Sequence, residues 1–201
     1  RTMKTEIIKS NIDRAAVLIA SDALVAVPTE TVYGLAANGL SSKAVEKIYR
    51  IKGRPALKPL SLMIFGPQEI DKYCIDVPEK AYELAERFWP GPLTIVLKAR
   101  KIVPEIVRAG GDTVGLRCPN HPMTLKLLKK CSLPLAAPSA NPSGAASPQN
   151  IKEVLRYFDG LIEAVVDGGQ CDIGTESTVI DLSKDKPRIL RIGALREEEL
   201  K

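Results

Sequence analysis

Two short stretches set cations and neutral hydrogen-bonding groups on backbone constrained by glycine and proline. They are Lys52-Gly53-Arg54, and Ser139-Ala140-Asn141 between Pro138 and Pro142. Residues 43 to 58 carry six basic side chains, Lys43, Lys47, Arg50, Lys52, Arg54 and Lys58, against one acid, Glu46, a local balance of +5. The whole chain also carries +5, so the remainder is neutral and the basicity is focused. Such a patch reads as an anion site rather than a general attraction to polyanions, and a triphosphate is the first candidate. Residues two apart in an extended segment point the same way, so Lys52 and Arg54 are expected to converge on one ligand, with Gly53 admitting a close backbone approach. Arg offers a planar fork for two phosphate oxygens, and Lys a compact charge that follows developing negative charge. The same cations would also complement the carboxyl end of a helix, by about 0.3–1 kcal/mol.

Ser139 and Asn141 share the two-residue spacing. Pro142 disfavours a helical Asn141 and Pro138 fixes its own φ, so the hydroxyl and amide are expected on one side, facing a ligand with mixed donors and acceptors. The alternative is an ordinary surface loop from Pro138 to Pro148, since Pro, Ser, Asn and Gly are turn formers. Pro28-Thr29-Glu30-Thr31-Val32-Tyr33-Gly34 gathers two hydroxyls, a carboxylate and a phenol behind an apolar run; these groups suit a site or the cap of a turn. Glu176 and the hydroxyls of Thr175, Ser177 and Thr178 precede another apolar run, and Arg191 lies in the last. No spacing assigns a pair of carboxylates as acid and base. The lone histidine, His121, stands before Pro122 where a helix is expected to begin, which suits capping better than catalysis. Cys74, Cys118, Cys131 and Cys171 form no CxxC pair, so neither a zinc site nor a disulfide framework is signalled, and no metal ligands are assigned.

The elements that must position these residues follow from periodicity. Leu24 to Val27, stopped by Pro28, reads as a buried strand that delivers Thr29, Glu30 and Thr31 at its carboxyl end. Ser41 or Ser42 can cap a helix with the stripe Ala44, Val45, Ile48 and Ile51, ended by Gly53 and Pro55, with Lys43, Lys47 and Arg50 facing away from the core. Further strands are expected at 60–64, 93–97, 114–116, 135–137, 164–166, 178–180 and 189–192, and helices at 78–88, 122–130 and 150–157. The alternation indicates an α/β chain with a mixed sheet. At 201 residues, with no linker, repeat or low-complexity tract, residues 1–201 are expected to form a single domain. No apolar run approaches the roughly 20 residues of a membrane span, and neither a GxxxxGK[ST] loop nor a GxGxxG fingerprint occurs. The start lacks the apolar stretch of a signal peptide, Arg1-Thr2 before Met3 reads as an expression remnant, and the cytoplasm is the expected location.

Taken together, PTETVYGL at 28 to 35, KGRP at 52 to 55, WPGPLT at 89 to 94, VGLRCPNHP at 114 to 122, APSANPSG at 137 to 144, ESTV at 176 to 179 and ILRIGA at 189 to 194 resemble the YrdC-like threonylcarbamoyl-AMP synthase family. The resemblance spans about residues 10 to 195. It implies a twisted mixed α/β sheet with flanking helices around a large basic cavity, in which ATP, L-threonine and bicarbonate condense to threonylcarbamoyl-AMP and pyrophosphate. The product would supply a threonylcarbamoyl group to an adenosine beside the tRNA anticodon, through downstream tRNA-modifying proteins. Mapped by motif, Thr31, Met63, Arg117, Ala137 and Ser177 would line the threonine site, with Arg117 holding the substrate carboxylate. ATP would lie against Arg54, Lys58, Thr113, Ser139, Asn141, Ser147 and Arg191. Lys52 and Arg54 would be the catalytic cations, and Mg²⁺ would arrive with ATP, bridging its phosphate oxygens. Positioning and electrostatic stabilisation would carry most of the rate, without an obligatory protein nucleophile.

Two positions depart from the commonest family pattern: Lys58 stands where many relatives carry Asn, and Met63 where many carry a His near the threonine. The second bears on how the pocket separates threonine from serine. In length the chain resembles the short form of the family. Two other functions stay compatible with the residues: a relative acting on another acceptor, and a basic cavity that binds RNA without chemistry. Against the latter, aromatics make up only 4% of the chain, too few for the usual stacking platform.

Overall fold

This computed structural model describes residues 3–201; Arg1-Thr2 lie outside the described residues. Along them run β1 (Glu6–Ile8), α1 (Ile12–Ala20), β2 (Val25–Val27), β3 (Gly34–Asn38), α2 (Ser42–Lys52), β4 (Ser61–Met63), α3 (Ile70–Tyr73), β5 (Cys74–Ile75) and α4 (Glu79–Phe88). They continue with β6 (Leu93–Ala99), α5 (Glu105–Arg108), β7 (Thr113–Arg117), α6 (Pro122–Cys131), β8 (Leu135–Ala136), α7 (Ile151–Phe158), β9 (Ala164–Val166), β10 (Thr178–Asp181) and β11 (Arg188–Arg191). Every strand and helix expected from periodicity is present within a few residues. β1, α1, β3, the α3–β5 segment and α5 are additional to the elements expected from periodicity.

The strands form one mixed sheet in the order β1-β9-β2-β3-β8-β4-β7-β6-β10-β11, with β5 pairing β6 beside this path. Parallel neighbours are β1/β9, β9/β2, β4/β7 and β6/β10; the other pairs are antiparallel. On one face α2, α4, α5 and α7 pack their apolar stripes onto Leu35, Leu62, Leu116 and Ile95. On the other, α1 and α6 pack together with Val25, Val27, Ala36 and Val166, which covers only the half of the sheet around β1, β9, β2 and β3. The half built from β4, β7, β6 and β10 is left open on that side, and this is where the functional side chains gather.

Helix α2 shows how local sequence sets a boundary. Ser41 Oγ accepts the Ala44 N–H at 3.2 Å, and Gly53 closes the helix at φ 64°, a left-handed conformation that costs glycine little. Its buried stripe is Ala44, Val45, Ile48, Tyr49 and Lys52. Lys43 and Arg50 are exposed as expected, while Lys47 reaches across to donate to Asp22 O at 2.9 Å. His121 caps α6, its Nδ1 accepting the Met123 N–H at 3.2 Å.

Candidate active site

The open half of the sheet face holds a cavity of about 220 Å³. Side chains alternate across a strand, so Ser61 and Met63 of β4, Arg117 of β7, Thr94 of β6 and Val179 of β10 face it, while Leu62, Leu116, Ile95 and Ile180 enter the core. Among the described residues, three arginines and one acid, Glu176, line the cavity, which makes it basic.

Its inner end is organised around Arg117. This side chain, with 9% exposure, donates to Glu30 Oε1, to Thr31 Oγ1 at 3.1 Å and to Gly91 O at 3.4 Å. Glu30 is 4% exposed, and its Oε2 accepts the Asn120 backbone N–H at 3.0 Å. Burial drives the Arg117 pKa down and the Glu30 carboxylate opposes the shift; a guanidinium keeps its proton under both influences. The turn carrying Glu30 is fixed by Thr29, whose Oγ1 donates to Val32 O at 2.6 Å and accepts the N–H groups of Thr31 and Val32 at 3.1 and 3.2 Å. Thr94 Oγ1 and Ser177 Oγ are 2.8 Å apart beside Arg117 in the lining.

Toward the mouth stand Arg191 and Arg54. Arg191 donates through Nε to Ser177 O at 2.9 Å and through Nη2 to Ser177 Oγ at 3.1 Å, and Nη1 lies 3.5 Å from Glu176. Arg54 donates to Pro59 O at 2.8 Å and Lys58 O at 3.3 Å, which folds the 54–59 turn around its guanidinium. Ser139 reaches the lining because it bridges to Gly34 at the start of β3.

Of the residues picked out from sequence, Thr31, Arg54, Met63, Arg117, Ala137, Ser139, Ser177 and Arg191 line this one cavity. Five others do not. Lys52 is the last residue of α2 rather than part of an extended segment, so it and Arg54 do not project side by side. Its ammonium is buried and donates to Ser139 O at 2.6 Å and Asn141 O at 2.5 Å. The expectation that Ser139 and Asn141 face one side also fails. The Asn141 N–H bonds to Ser139 O at 2.9 Å, a tight turn in place of an extended run. Asn141 Nδ2 then donates to Pro142 O at 2.9 Å and Ala145 O at 3.0 Å. Lys58 is exposed on the 54–59 turn, and Ser147 is half-buried beside Pro148, whose carbonyl accepts the Tyr33 N–H at 2.9 Å. Thr113, two pleats from Arg117 on the same face of β7, opens onto a separate depression with Lys98 and Asp112.

From sequence Glu30 and Glu176 carry no assigned role; the charge of Glu30 beside a buried strand signals a buried partner, but that partner lies 87 positions away. Cys118 and Cys171 flank the site with thiols that burial pushes up to about 12 and about 11, so neither is a thiolate near neutral pH. Among the described residues no group of three or more His, Cys, Asp or Glu side chains could hold a metal ion.

The family described as telomere recombination (Sua5_yciO_yrdC) matches residues 17–193. The chain is 48% identical over 186 residues to the threonylcarbamoyl-AMP synthase of Pyrococcus abyssi, covering 92% of this chain and 55% of that protein. It is 44% identical over 191 residues to the synthase of Bacillus subtilis, covering 94% and 55%. A crystal structure of P. abyssi Sua5 complexed with L-threonine superimposes with a TM-score of 0.94 at 45% identity, over 98% of this chain and 60% of that one. The chain spans about half the length of the curated relatives it matches. With the family match running through every segment that lines the cavity, this chain is a member of the Sua5/YciO/YrdC family.

Proposed function

We propose that residues 1–201 form one catalytic domain of a threonylcarbamoyl-AMP synthase, which condenses L-threonine, bicarbonate and ATP to threonylcarbamoyl-AMP and pyrophosphate. The observation that carries this reading is a single cavity with a buried, fixed guanidinium at its inner end and two more guanidinia at its mouth. Two anions can thus be held in line. Arg117, with Thr31 and Ser177, takes the amino acid by its carboxylate and hydroxyl, while Arg54, Ser139 and Arg191 take the nucleotide phosphates. At about 220 Å³ the cavity is smaller than the roughly 300–1,000 Å³ of pockets for drug-sized ligands, so it encloses the amino acid and reacting phosphate while the nucleoside extends past the mouth.

The threonine amine attacks bicarbonate with loss of water, and the resulting carbamate oxygen displaces pyrophosphate from the α-phosphorus. Nucleophile and leaving group are both anionic, so fixed cations and alignment supply the acceleration without a covalent protein intermediate. The donor set fits Mg²⁺ carried by ATP rather than a resident ion, since Glu176 is the carboxylate in the lining and Mg²⁺ commonly takes one or two carboxylates plus substrate phosphates. Bound there, it would neutralise phosphate charge. The adenylate passes to downstream tRNA-modifying proteins in the cytoplasm. No helix among the described residues is long and apolar enough to cross a membrane.

The test is pyrophosphate release from ATP with Mg²⁺ and labelled bicarbonate, with and without L-threonine, with the adenylate followed by mass spectrometry. Threonine-dependent pyrophosphate together with a labelled adenylate supports the synthase. Tight ATP binding without turnover moves the reading to a relative acting on another acceptor.

A further inference from the structure

The side chain of Lys52 is 3% exposed, lies outside the cavity lining, and is spent on backbone. Nζ donates to the carbonyls of Ser139 at 2.6 Å and Asn141 at 2.5 Å, and the Lys52 carbonyl accepts the Ser143 N–H at 2.8 Å. The same turn is tied from its other side. Leu35 N–H donates to Pro138 O at 2.7 Å, Ala140 N–H to Tyr33 O at 2.8 Å, and Ser139 bridges to Gly34. Two carbonyl oxygens aimed at one point repel each other unless a donor stands between them, and α2 ends where its last side chain can be that donor. We propose that Lys52 is a positioning residue of the nucleotide site, clamping the two carbonyls so that Ser139 is presented to the cavity, and does not itself grip phosphate. The proposal rests on the reading that ATP lies against Ser139.

The ionisation of Lys52 sharpens the distinction. Burial lowers its pKa to about 8, with Arg54 and Lys58 from the following turn adding to the shift and Glu176 from the loop before β10 opposing it. A neutral amine keeps two N–H donors, which match the two carbonyls. Losing the proton would therefore leave the clamp in place but remove any attraction for phosphate.

The experiment compares wild type, Lys52→Met, Ser139→Ala and the double variant by ATP and AMP titration calorimetry, with amide hydrogen exchange over residues 137–145. Expected is faster exchange across this segment in Lys52→Met, and weakening of ATP and AMP by similar factors. Ser139→Ala should cost about two- to tenfold in the wild-type background, the worth of a neutral hydrogen bond, and little in the Lys52→Met background. Unchanged exchange with a loss confined to ATP, or additive effects of the two substitutions, would overturn the proposal. Should Lys52→Met not fold, Lys52→Gln, which offers two amide N–H donors without a charge, decides by the same titrations: similar changes for ATP and AMP support the clamp, and a loss confined to ATP refutes it. If wild type binds no ATP, the synthase reading fails, and the exchange rates of Lys52→Met still decide whether the clamp exists.

Discussion

Replacing Glu30 by Gln tests the inner end of the cavity most directly. The substitution keeps the shape and one acceptor for Arg117 but removes the charge that faces a guanidinium only 9% exposed. Breaking a buried pair from one side leaves an uncompensated ion, which costs about 3–5 kcal/mol; since Gln retains one hydrogen bond, about 3 kcal/mol is expected here. A chain of this length shifts its midpoint by about 2–4 °C per kcal/mol, so Glu30→Gln should melt roughly 6–12 °C below wild type by scanning calorimetry at neutral pH. The shift should survive added salt, because ions screen exposed charges far more than this buried pair. Threonine affinity should fall as well, because the backbone N–H of Asn120 and the Thr31 hydroxyl are aligned through the same two side chains. The apolar double variant Glu30→Leu with Arg117→Met should recover most of the stability and none of the threonine binding. A Glu30→Gln midpoint within about 2 °C of wild type would refute the reasoning, since the attraction would then do no more than balance the cost of taking both charges out of water.

Two further substitutions probe separate places. Met63 pairs in register with Arg117 across β4 and β7 and lines the cavity. Met63→His brings a hydrogen-bonding ring to that wall, and the threonine KM is expected to fall about two- to tenfold with little change for ATP; equal shifts in both KM values would show that Met63 is not on the amino-acid side. His121 accepts a backbone N–H through Nδ1, and burial holds its pKa below the ordinary 6.5. The unfolded chain therefore binds the proton first as pH falls through about 6.5, so folding stability drops with decreasing pH until the folded-state pKa is reached. The slope attributable to this group is at most about 1.4 kcal/mol per pH unit. His121→Asn keeps a competent cap without a titrating ring, and urea midpoints between pH 5 and 7 should fall less steeply in this variant; parallel profiles would show that other groups carry the acid sensitivity.

What the sequence disclosed, and what it concealed, divides along chain separation. The start and stop of α2 were legible because Ser41 and Gly53 act within one turn of the residues they cap. Sequence places Lys52 in an extended segment just past the helix, whereas it is the last residue of α2. Yet position 52 continues the spacing of Ala44 and Ile48, and that period, followed one step further, would have placed a lysine in the buried stripe. Asn11, Ile12, Ala15 and Ile19 likewise carried a capped amphipathic pattern that announces α1. Strand β3 gave little signal, since Gly34, Ala36 and Ala37 are weak strand formers held by pairing with β2 and β8. The motif residues of the candidate site were visible as charges and hydroxyls near proline and glycine. That Arg117 turns to Glu30, or that Asn141 turns from the cavity, depends on partners no local pattern specifies.

The strand order carries a consequence for how the molecule is made. Glu6 waits for Ala164 to become its sheet neighbour, and β6 gains its parallel partner only when β10 has emerged. Arg191, on the last strand, completes the ring of cations. During synthesis the growing chain consequently has no cation-lined cavity until nearly all of its sheet can close. Ligands that bind only the finished fold stabilise that state alone and cannot guide earlier intermediates. With so many pairings between distant segments, closure is expected to be slow, and the exposed edges of a half-made sheet are the period of greatest exposure to aggregation.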